Sequence, residues 1–521
     1  MAHTAVIYFH GIGEQRRYEE ISVLVEALDS QCSKKNTAGV LQDIAPKVET
    51  NRVAGHSDVA YIQAVYASKS VPSQTRTYRF YEAYWAPLTA EGISVFKVLR
   101  WSLRQLAVGL FQRSLNWRFR QRLRRSSFWS LIDSLARKTG LEPHTGDVHC
   151  LLDNYNKFDS IAGNDRYPNG TFAEFVRFLT DIYKVKKDYV LVRLLKLVRL
   201  WRRHDRTLRW KTRFVCLTTL LFCLLLAAGS TIALFQAIIN ISELFTAGLN
   251  NVLEAFFQAM LTVSLLGVML AIGRLLRTYV ADIEFWATYE ETDVKHKKRK
   301  EILDLGFALL QHLLLDDECK RIVVIGHSLG TAIAYDTLLQ AGRHNRARDN
   351  ANGLKLDKIE ALITLGSPLD KIHWFFESYQ SHCFRYRKVV EELRGDIGTP
   401  PFAVNGIPQI YWLNLWDKVD PISGSLETPS SNTSLEIRID NFHVNFRSLN
   451  PLSCHCGYFK NPTVLELISK VIFEHHNPYS RQKERFGFLG PGKFGKISNL
   501  PGYLFIALTW AAILLFTLWL T

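Results

Sequence analysis

A serine between two glycines is the residue whose surroundings most favour chemistry in this sequence. Ser328 lies between Gly326 and Gly330 in RIVVIGHSLGTAIAYDTL (321–338), directly after a run of aliphatic residues. The aliphatic run predicts a buried strand, and the small residues after it predict a helix packed closely on a sheet. Because glycine lacks a Cβ atom, both glycines would permit a tight turn that holds Ser328 in a strained conformation. The pattern indicates that Ser328 is a nucleophile and that Gly326 and Gly330 support the turn that holds it.

A nucleophilic serine needs a general base and an acid that orients the base, and both have candidates further along the chain. His455 follows the predicted strands in SCHCGYF, in a loop from which a base would reach Ser328. The segment NLWDKVDPISG (414–424) offers Asp420 and Asp417. We favour Asp420, because the Asp-Pro step ends the strand and turns the carboxylate toward the site, and Asp417 is the alternative acid. Weaker candidates for these roles are Asp370, His443, His475 and His476.

The end of the first predicted strand offers donors for an oxyanion hole. In FHGIGE (9–14), His10 and Gly11 would let the backbone N–H of Ile12 turn inward. The N–H of Leu329, the residue after the nucleophile, would be the second donor. Each such donor typically stabilises the transition state by about 3 kcal/mol. His10 and Gly11 are therefore predicted to support the site.

The elements that must position these residues alternate between strand and helix patterns. A helical pattern near 300–315 precedes the strand that leads to the serine. Strand patterns occur at 4–9, 59–67, 77–85, 321–326, 359–366, 409–416 and 435–439. Strands alternating with helices predict an α/β fold with a mostly parallel sheet and helices on both of its faces.

Three segments have the composition of transmembrane helices. Residues 214–239 and 255–273 carry no charge, and residues 503–521 are apolar with aromatic side chains at both ends. A helix needs roughly 20 apolar residues to cross the hydrocarbon core of a bilayer. The sequence therefore predicts a transmembrane hairpin and a C-terminal transmembrane helix.

The excess of basic residues lies beside these segments. The chain has 64 Lys and Arg against 49 Asp and Glu, and the flanking stretches 184–213 and 295–300 are strongly basic. The positive-inside rule then predicts an integral membrane protein with a catalytic domain that faces the cytoplasm. Basic helices within 88–213 would either lie on anionic headgroups or pack on the protein itself. Nucleic acid is not expected as a partner, because no motif that reads it is present.

The cysteines and one glycine-rich string give no sign of a metal or cofactor. The 8 cysteines are scattered without CxxC pairs, which predicts a reducing compartment. Cys454 and Cys456 flank His455 but have no second ligand pair at zinc-finger spacing. GFLGPGKF (487–494) resembles a phosphate-binding loop, but Phe494 replaces the required Ser or Thr. We therefore predict neither a metal nor a cofactor.

Taken together, HGIG, GHSLG, TLGSPLD, the Asp-Pro-Ile acid loop and HCGY resemble the α/β-hydrolase superfamily, particularly its lipase and esterase branches. The resemblance covers about residues 1–85 and 300–475. It implies Ser-His-Asp acyl transfer through a covalent acyl-serine. A departure is the insertion that precedes the nucleophile strand, since lids in this family more commonly follow it.

The resemblance divides the chain into a split hydrolase domain and additional segments. The hydrolase domain is predicted in two parts: the first carries the oxyanion loop (1–87), and the second carries the nucleophile, acid and base (301–480). A helical insertion with the basic helices and the transmembrane hairpin (88–300) separates them. A linker (481–502) and the C-terminal transmembrane helix (503–521) follow the second part.

The functional hypothesis is a membrane-embedded serine hydrolase that cleaves acyl esters of lipids. Its expected partners are a lipid membrane and a lipid or acyl-ester substrate. The alternative is a non-catalytic membrane scaffold that uses a hydrolase fold for protein interaction. The sequence leaves open which ester is cleaved, whether a partner triggers the activity, and whether the chain forms homo-oligomers.

Overall fold

The computed structural model describes the sheet, its helices and part of the segment between them. The described residues before the nucleophile strand are 2–11, 16–34, 39–50, 58–68, 75–89, most of 153–168, 172–183, and isolated positions between 100 and 286. The later ones are 294–347, 353–378, 395–420, 422–426, 437, 439–446, 451–479 and 486–490.

Strands and helices alternate through most of this part of the chain. In chain order the strands are β1 (His3–Phe9), β2 (Gly39–Thr50), β3 (Asp58–Ser68), β4 (Thr75–Ala83), β5 (Cys319–His327), β6 (Ile359–Leu365), β7 (Ala403–Val404), β8 (Ile407–Pro408), β9 (Tyr411–Trp416) and β10 (Asp440–His443). The α-helices are α1 (Glu19–Lys34), α2 (Phe172–Tyr183), α3 (Val294–Leu315), α4 (Gly330–Ala347), α5 (Leu369–Ser378), α6 (Pro451–His455) and α7 (Pro462–Phe473).

The main sheet has 8 strands in the order β10-β9-β6-β5-β1-β4-β3-β2. The pairings from β10 across to β4 are parallel, whereas β3 runs antiparallel to both β4 and β2. Antiparallel pairing is expected at this edge, because the connections between β2, β3 and β4 are too short for a crossover. The central strand β5 lies between β1 and β6, so the carboxyl ends of all three meet at one edge of the sheet.

Both faces of the central strands are buried, as the aliphatic run before Ser328 predicts. Along β5, Ile322 and Val324 contribute to one apolar core, and Val323 and Ile325 contribute to the core on the opposite face. Helices α3 and α4 supply buried residues to the first core, and α1 and α7 supply them to the second. The sheet is thus the middle layer of three, and helices fix its central strands from both sides.

The predicted fold class is refined at one edge of the sheet and corrected for the transmembrane helices. The pairings from β10 to β4 are parallel, but β3 runs antiparallel to β4 and β2, so the sheet is mixed. In the part of the chain that the structure describes, no helix is both long and apolar enough to cross a bilayer. Helix α3 has the length, at 22 residues, but it begins with the charged sequence VKHKKRKE.

Within the described residues, this finding corrects the predicted transmembrane hairpin, the C-terminal transmembrane helix and the localisation as an integral membrane protein with a cytoplasmic catalytic domain. Apart from Leu217, the predicted spans 214–239, 255–273 and 503–521 lie outside the described residues. The basic stretch 184–213 lies outside them as well, except at a few isolated positions.

Candidate catalytic site

Ser328 occupies the turn between β5 and α4 in a strained backbone conformation. Its φ of +53° lies in the left-handed region, which residues with a Cβ atom rarely adopt. The Ser328 N–H donates to the Leu365 carbonyl over 2.9 Å, and the Thr331 N–H donates to the Ser328 carbonyl over 3.1 Å. The Thr331 hydroxyl donates to the same carbonyl over 2.7 Å. Hydrogen bonds on both sides of the residue therefore hold the strained turn in place.

The two glycines that flank the turn are required by close backbone packing. A Cβ atom on Gly326 would lie 2.7 Å from Cα of Thr331, and one on Gly330 would lie 2.2 Å from the Phe9 carbonyl oxygen. Both distances are far below van der Waals contact, and the neighbouring atoms belong to the backbone. Helix α4 can start directly against the end of β1 only because Gly330 has no side chain.

His455 connects the serine to a carboxylate. Its Nε2 atom lies 2.8 Å from the Ser328 Oγ atom, although the two residues are 127 positions apart in the chain. Its Nδ1 atom lies 3.0 Å from Oδ2 and 3.1 Å from Oδ1 of Asp420. Because a carboxylate only accepts, Nδ1 carries the proton and Nε2 presents its lone pair to the serine hydroxyl. The three residues form one hydrogen-bonded chain in which Ser328 donates to His455 and His455 donates to Asp420.

Asp420 is buried, but four donors surround its carboxylate. Besides His455, the Tyr458 hydroxyl donates to Oδ2 over 2.9 Å, and the N–H groups of Ile422 and Ser423 donate to Oδ1 over 2.8 and 3.2 Å. Burial by itself raises the pKa of Asp420, but the hydrogen bonds from His455, Ile422 and Tyr458 outweigh it and leave the pKa below its ordinary value. The carboxylate therefore remains ionised and able to accept from His455.

Asp417, the alternative acid, binds other groups. Its Oδ1 accepts the Val419 N–H over 2.7 Å, and its Oδ2 accepts the Phe446 N–H over 2.7 Å. The Oδ2 atom also lies 3.6 Å from Nε2 of His443. Asp417 is fully buried and joins the loop after β9 to the segment after β10. Its geometry is that of a structural carboxylate, and Asp420 alone of the two contacts His455.

The predicted oxyanion region is described in part. Leu329 is buried and directly precedes the first residue of α4, at the helix N-terminus, where backbone N–H groups have no acceptor within the helix. A Cβ atom on Gly11 would lie 3.1 Å from Cβ of Ser328, so the loop after β1 passes directly beside the serine. Ile12, the other predicted donor, lies outside the described residues.

His10 fixes the start of that loop. The Trp85 N–H donates to Nε2 of His10 over 3.1 Å, so the proton is on Nδ1, which donates to the Gly11 carbonyl over 2.8 Å. The two rings are stacked with centroids 4.7 Å apart, and the Trp85 indole N–H donates to the His10 carbonyl over 3.2 Å. Burial lowers the pKa of His10 to about 4, so the ring is neutral at physiological pH. Its role is to attach the oxyanion loop to the end of β4.

Three residues near the site received no role from the sequence. Tyr458 binds Asp420, and His327 lies beside Ser328, with Nε2 2.9 Å from the His455 carbonyl oxygen. Lys371 donates from Nζ to the carbonyls of Ile422 and Ser423 over 2.7 and 3.1 Å and so holds the acid loop. Burial lowers the pKa of Lys371 to about 8. Tyr458 and His327 belong to the HCGY and GHSLG strings, but neither string indicates what their side chains would contact.

The described residues contain no group of three or more His, Cys, Asp or Glu side chains that could hold a metal ion. Within that part of the chain, Cys454 is buried and Cys456 is exposed, on either side of His455. The contacts of Ser328, His455 and Asp420 join a hydroxyl, an imidazole and a carboxylate.

Comparisons with known proteins add no family to this geometry. No protein-family model matches the chain, and neither the curated proteins nor the solved structures include a significant match. The resemblance to α/β-hydrolases accordingly stays a prediction that depends on the quoted motifs.

Proposed function

We propose that this protein is a serine hydrolase that cleaves acyl esters through an acyl-serine intermediate. One observation carries the proposal: Ser328 Oγ lies 2.8 Å from Nε2 of His455, while Nδ1 of the same ring lies 3.0 Å from Asp420. This is the arrangement that lets a histidine remove a serine proton while a carboxylate maintains its tautomer. The left-handed turn at Ser328 and the resemblance of the motifs to lipases and esterases support the same reaction.

The reaction would begin with attack of Ser328 Oγ on the ester carbonyl carbon. His455 Nε2 accepts the hydroxyl proton as the Oγ–C bond forms, and the carbonyl oxygen becomes an oxyanion. The buried, ionised Asp420 stabilises the imidazolium that results and does not itself take the proton. Collapse of the tetrahedral intermediate breaks the bond to the alcohol oxygen, which leaves with the proton from His455. An acyl-serine and a free alcohol are the products of this half-reaction.

Water would complete the cycle with the same groups. His455 Nε2 removes a proton from water as its oxygen attacks the acyl carbon, and the proton then returns to Ser328 Oγ when the ester bond to the serine breaks. A carboxylic acid is released and the enzyme is regenerated. In both halves the Leu329 N–H, next to the serine and directly before α4, is a donor for the oxyanion.

The proposed substrate class is the acyl ester, and the resemblance to lipases favours lipid esters within it. The motivation for an acyl ester is the chemistry of the three side chains, since a serine–histidine pair forms covalent acyl intermediates. No bound group is required, because nucleophile, base and acid all come from the chain.

The test compares wild type with Ser328→Ala on 4-nitrophenyl butyrate, together with labelling by a fluorophosphonate probe. We expect Ser328→Ala to lower kcat by at least about 10⁴-fold and to abolish labelling. A matched control is Ser160→Ala, because Ser160 is an exposed serine in the 153–168 segment; it should keep full activity and labelling. Undiminished activity in folded Ser328→Ala protein would contradict the proposal.

The same labelling experiment distinguishes the proposed hydrolase from the alternative predicted from the sequence, a non-catalytic scaffold. A scaffold predicts a folded wild-type protein that hydrolyses no ester and takes up no probe. Labelling that requires both Ser328 and His455 would exclude it.

A further inference from the structure

His327 is a buried histidine beside the nucleophile that the acyl-transfer steps do not use. It is the last residue of β5 and has 8% of its surface exposed. Its ring centroid lies 5.3 Å from that of His455 and 5.9 Å from that of Tyr458. A polar ring enclosed in this way costs stability unless it binds something, so its partners indicate its role.

One ring nitrogen of His327 holds the backbone of the base. Nε2 lies 2.9 Å from the carbonyl oxygen of His455. A carbonyl oxygen only accepts, so the proton is on Nε2 and the bond runs from His327 to His455. Burial is the largest cause that lowers the pKa of His327, so the ring is neutral and this tautomer persists at physiological pH.

The other ring nitrogen faces the oxyanion side of the site. With the proton on Nε2, Nδ1 carries a lone pair, and it has no hydrogen-bond partner among the residues that the structure describes. A Cβ atom on Gly11 would lie 3.1 Å from this Nδ1 and 3.1 Å from Cβ of Ser328. His327 therefore fills the space between the loop after β1 and the helix that carries His455.

We infer that His327 is a positioning residue for acyl transfer: its Nε2–H binds the His455 carbonyl and thereby sets the distance between the base and Ser328. Helix α6, which ends at His455, has only 5 residues, so it has little stiffness of its own. Asp420 fixes the His455 ring through Nδ1, but a ring bond alone does not fix the backbone from which the side chain extends. The bond from His327 supplies that constraint from the strand that also carries the nucleophile.

Neutrality of His327 has a second effect on the reaction. His455 becomes a cation when it takes the serine proton, and the His327 ring lies 5.3 Å away from it. A charged neighbour at that distance in a buried site would oppose the new positive charge. A donor that remains uncharged can hold the base without this penalty, which a lysine or arginine in the same place could not do.

The test uses three replacements of His327 that differ in whether the side chain has an N–H donor and in where that donor lies. In His327→Gln the side-chain N–H can reach the place of Nε2, in His327→Asn the amide reaches only the place of Nδ1, and in His327→Phe the ring has no donor. The inference rests on the proposed function, so wild type and Ser328→Ala are assayed first with 4-nitrophenyl butyrate. Inactive wild type, or active Ser328→Ala, would defeat the proposed function itself.

With an active wild type, we expect the Phe and Asn replacements to lower kcat by 10-fold to 100-fold and to leave KM within 3-fold. The Gln replacement should recover kcat to within 3-fold of wild type. Thermal unfolding of each variant verifies the folded state. If the Phe variant does not fold, the difference in kcat between the Gln and Asn variants tests the positioning role. Equal kcat values for Gln and Asn, or a wild-type kcat in folded His327→Phe, would overturn the positioning role and leave the proposed function standing.

Discussion

The Tyr458 hydroxyl donates a hydrogen bond of 2.9 Å to Oδ2 of Asp420, the same oxygen that lies 3.0 Å from Nδ1 of His455. Tyrosine and base thus share one carboxylate oxygen, while the other oxygen accepts the N–H groups of Ile422 and Ser423. Burial of Tyr458, followed by the charge of Asp420, raises the pKa of its hydroxyl well above the ordinary value. The hydroxyl therefore remains a donor throughout the pH range of an ester hydrolase.

Tyr458→Phe should reduce activity moderately without changing substrate binding. Loss of one donor leaves the buried Asp420 less stabilised as an anion, so its pKa rises, and the carboxylate loses one of the bonds that hold it opposite His455. We expect kcat to fall by roughly 10-fold to 150-fold, the value of about 1.5–3 kcal/mol for one hydrogen bond to a charged group, at constant KM. Steady-state kinetics measure the effect. The matched control is Tyr411→Phe, which removes a buried tyrosine bond of 2.8 Å to Asp440, outside the site; it should leave kcat at the wild-type value.

The two candidate acids should respond differently to amide replacement. Asp420→Asn leaves the geometry intact but offers His455 an amide in place of a carboxylate, so the wrong tautomer is favoured. The expected loss in kcat is on the order of 10⁴-fold. Asp417→Asn instead leaves one of two backbone N–H groups facing an NH₂ group, which should lower the free energy of unfolding by about 1–3 kcal/mol.

Kinetics and denaturant unfolding on both variants separate the two roles. Asp417→Asn should keep kcat within a few-fold of wild type once it is assayed well below its unfolding midpoint. A larger loss of kcat in Asp417→Asn than in Asp420→Asn would show that the assignment of the acid is wrong.

Glu82 on β4 should make stability fall with rising pH. Burial, together with the charge of Glu20, raises the pKa of Glu82 to about 7 from an ordinary 4.5, despite the N–H bond from Tyr18. Between these two pH values the folded state binds more protons than the unfolded state, so the free energy of unfolding decreases as pH rises. The total decrease from this group is about 3 kcal/mol at most.

Denaturant unfolding of wild type and Glu82→Gln at pH 5 and pH 8 measures this dependence. The glutamine can still accept the Tyr18 N–H, and it has no charge to desolvate, so its stability should change less between the two pH values. Glu19→Gln, at an exposed position on α1, is the control and should keep the wild-type difference. A glutamine variant with the full wild-type difference would contradict this explanation.

Gly330→Ala should prevent the turn at the nucleophile from forming. The new Cβ atom would lie 2.2 Å from the Phe9 carbonyl oxygen and 2.4 Å from that of His10, so α4 would have to move away from β1. Overpacking of this kind typically costs 1–3 kcal/mol or more, and displacement of Ser328 should remove activity as well. Thermal unfolding and probe labelling test both effects. Gly487→Ala, where the added atom meets nothing within 4 Å, is the control and should behave as wild type.

The central elements were predictable from the sequence because their patterns are local. The aliphatic run before Ser328 is long enough to specify a strand that is buried on both faces, and β5 lies there. The order of serine, acid and histidine in the chain was sufficient to select residues that the fold brings within hydrogen-bond distance. The Asp-Pro step favoured Asp420, but the pattern left Asp417 open as the alternative, because the choice depends on which backbone N–H groups the carboxylates meet.

Other elements escaped prediction for identifiable reasons. The edge strand β2 contains Pro46 and several charged residues, so it lacks the alternation that marks a half-buried strand. The last strand was expected at 435–439 but lies at Asp440–His443. Its position is set by pairing with β9, which begins with Asp440 beside Leu413. The partners of His327 and Tyr458 could not be derived, because the backbone of His455 and the carboxylate of Asp420 are distant in sequence.

The pairing of β1 with β5 has a consequence for synthesis on the ribosome. His3–Phe9 can pair with β4 soon after emergence, but its other neighbour, Cys319–His327, is translated only after the whole intervening segment. At typical elongation rates this takes about 10–50 s. For that time one edge of an apolar strand stays open, and such an edge readily recruits foreign chains. Cotranslational binding of a chaperone to the nascent N-terminal half would follow from this topology.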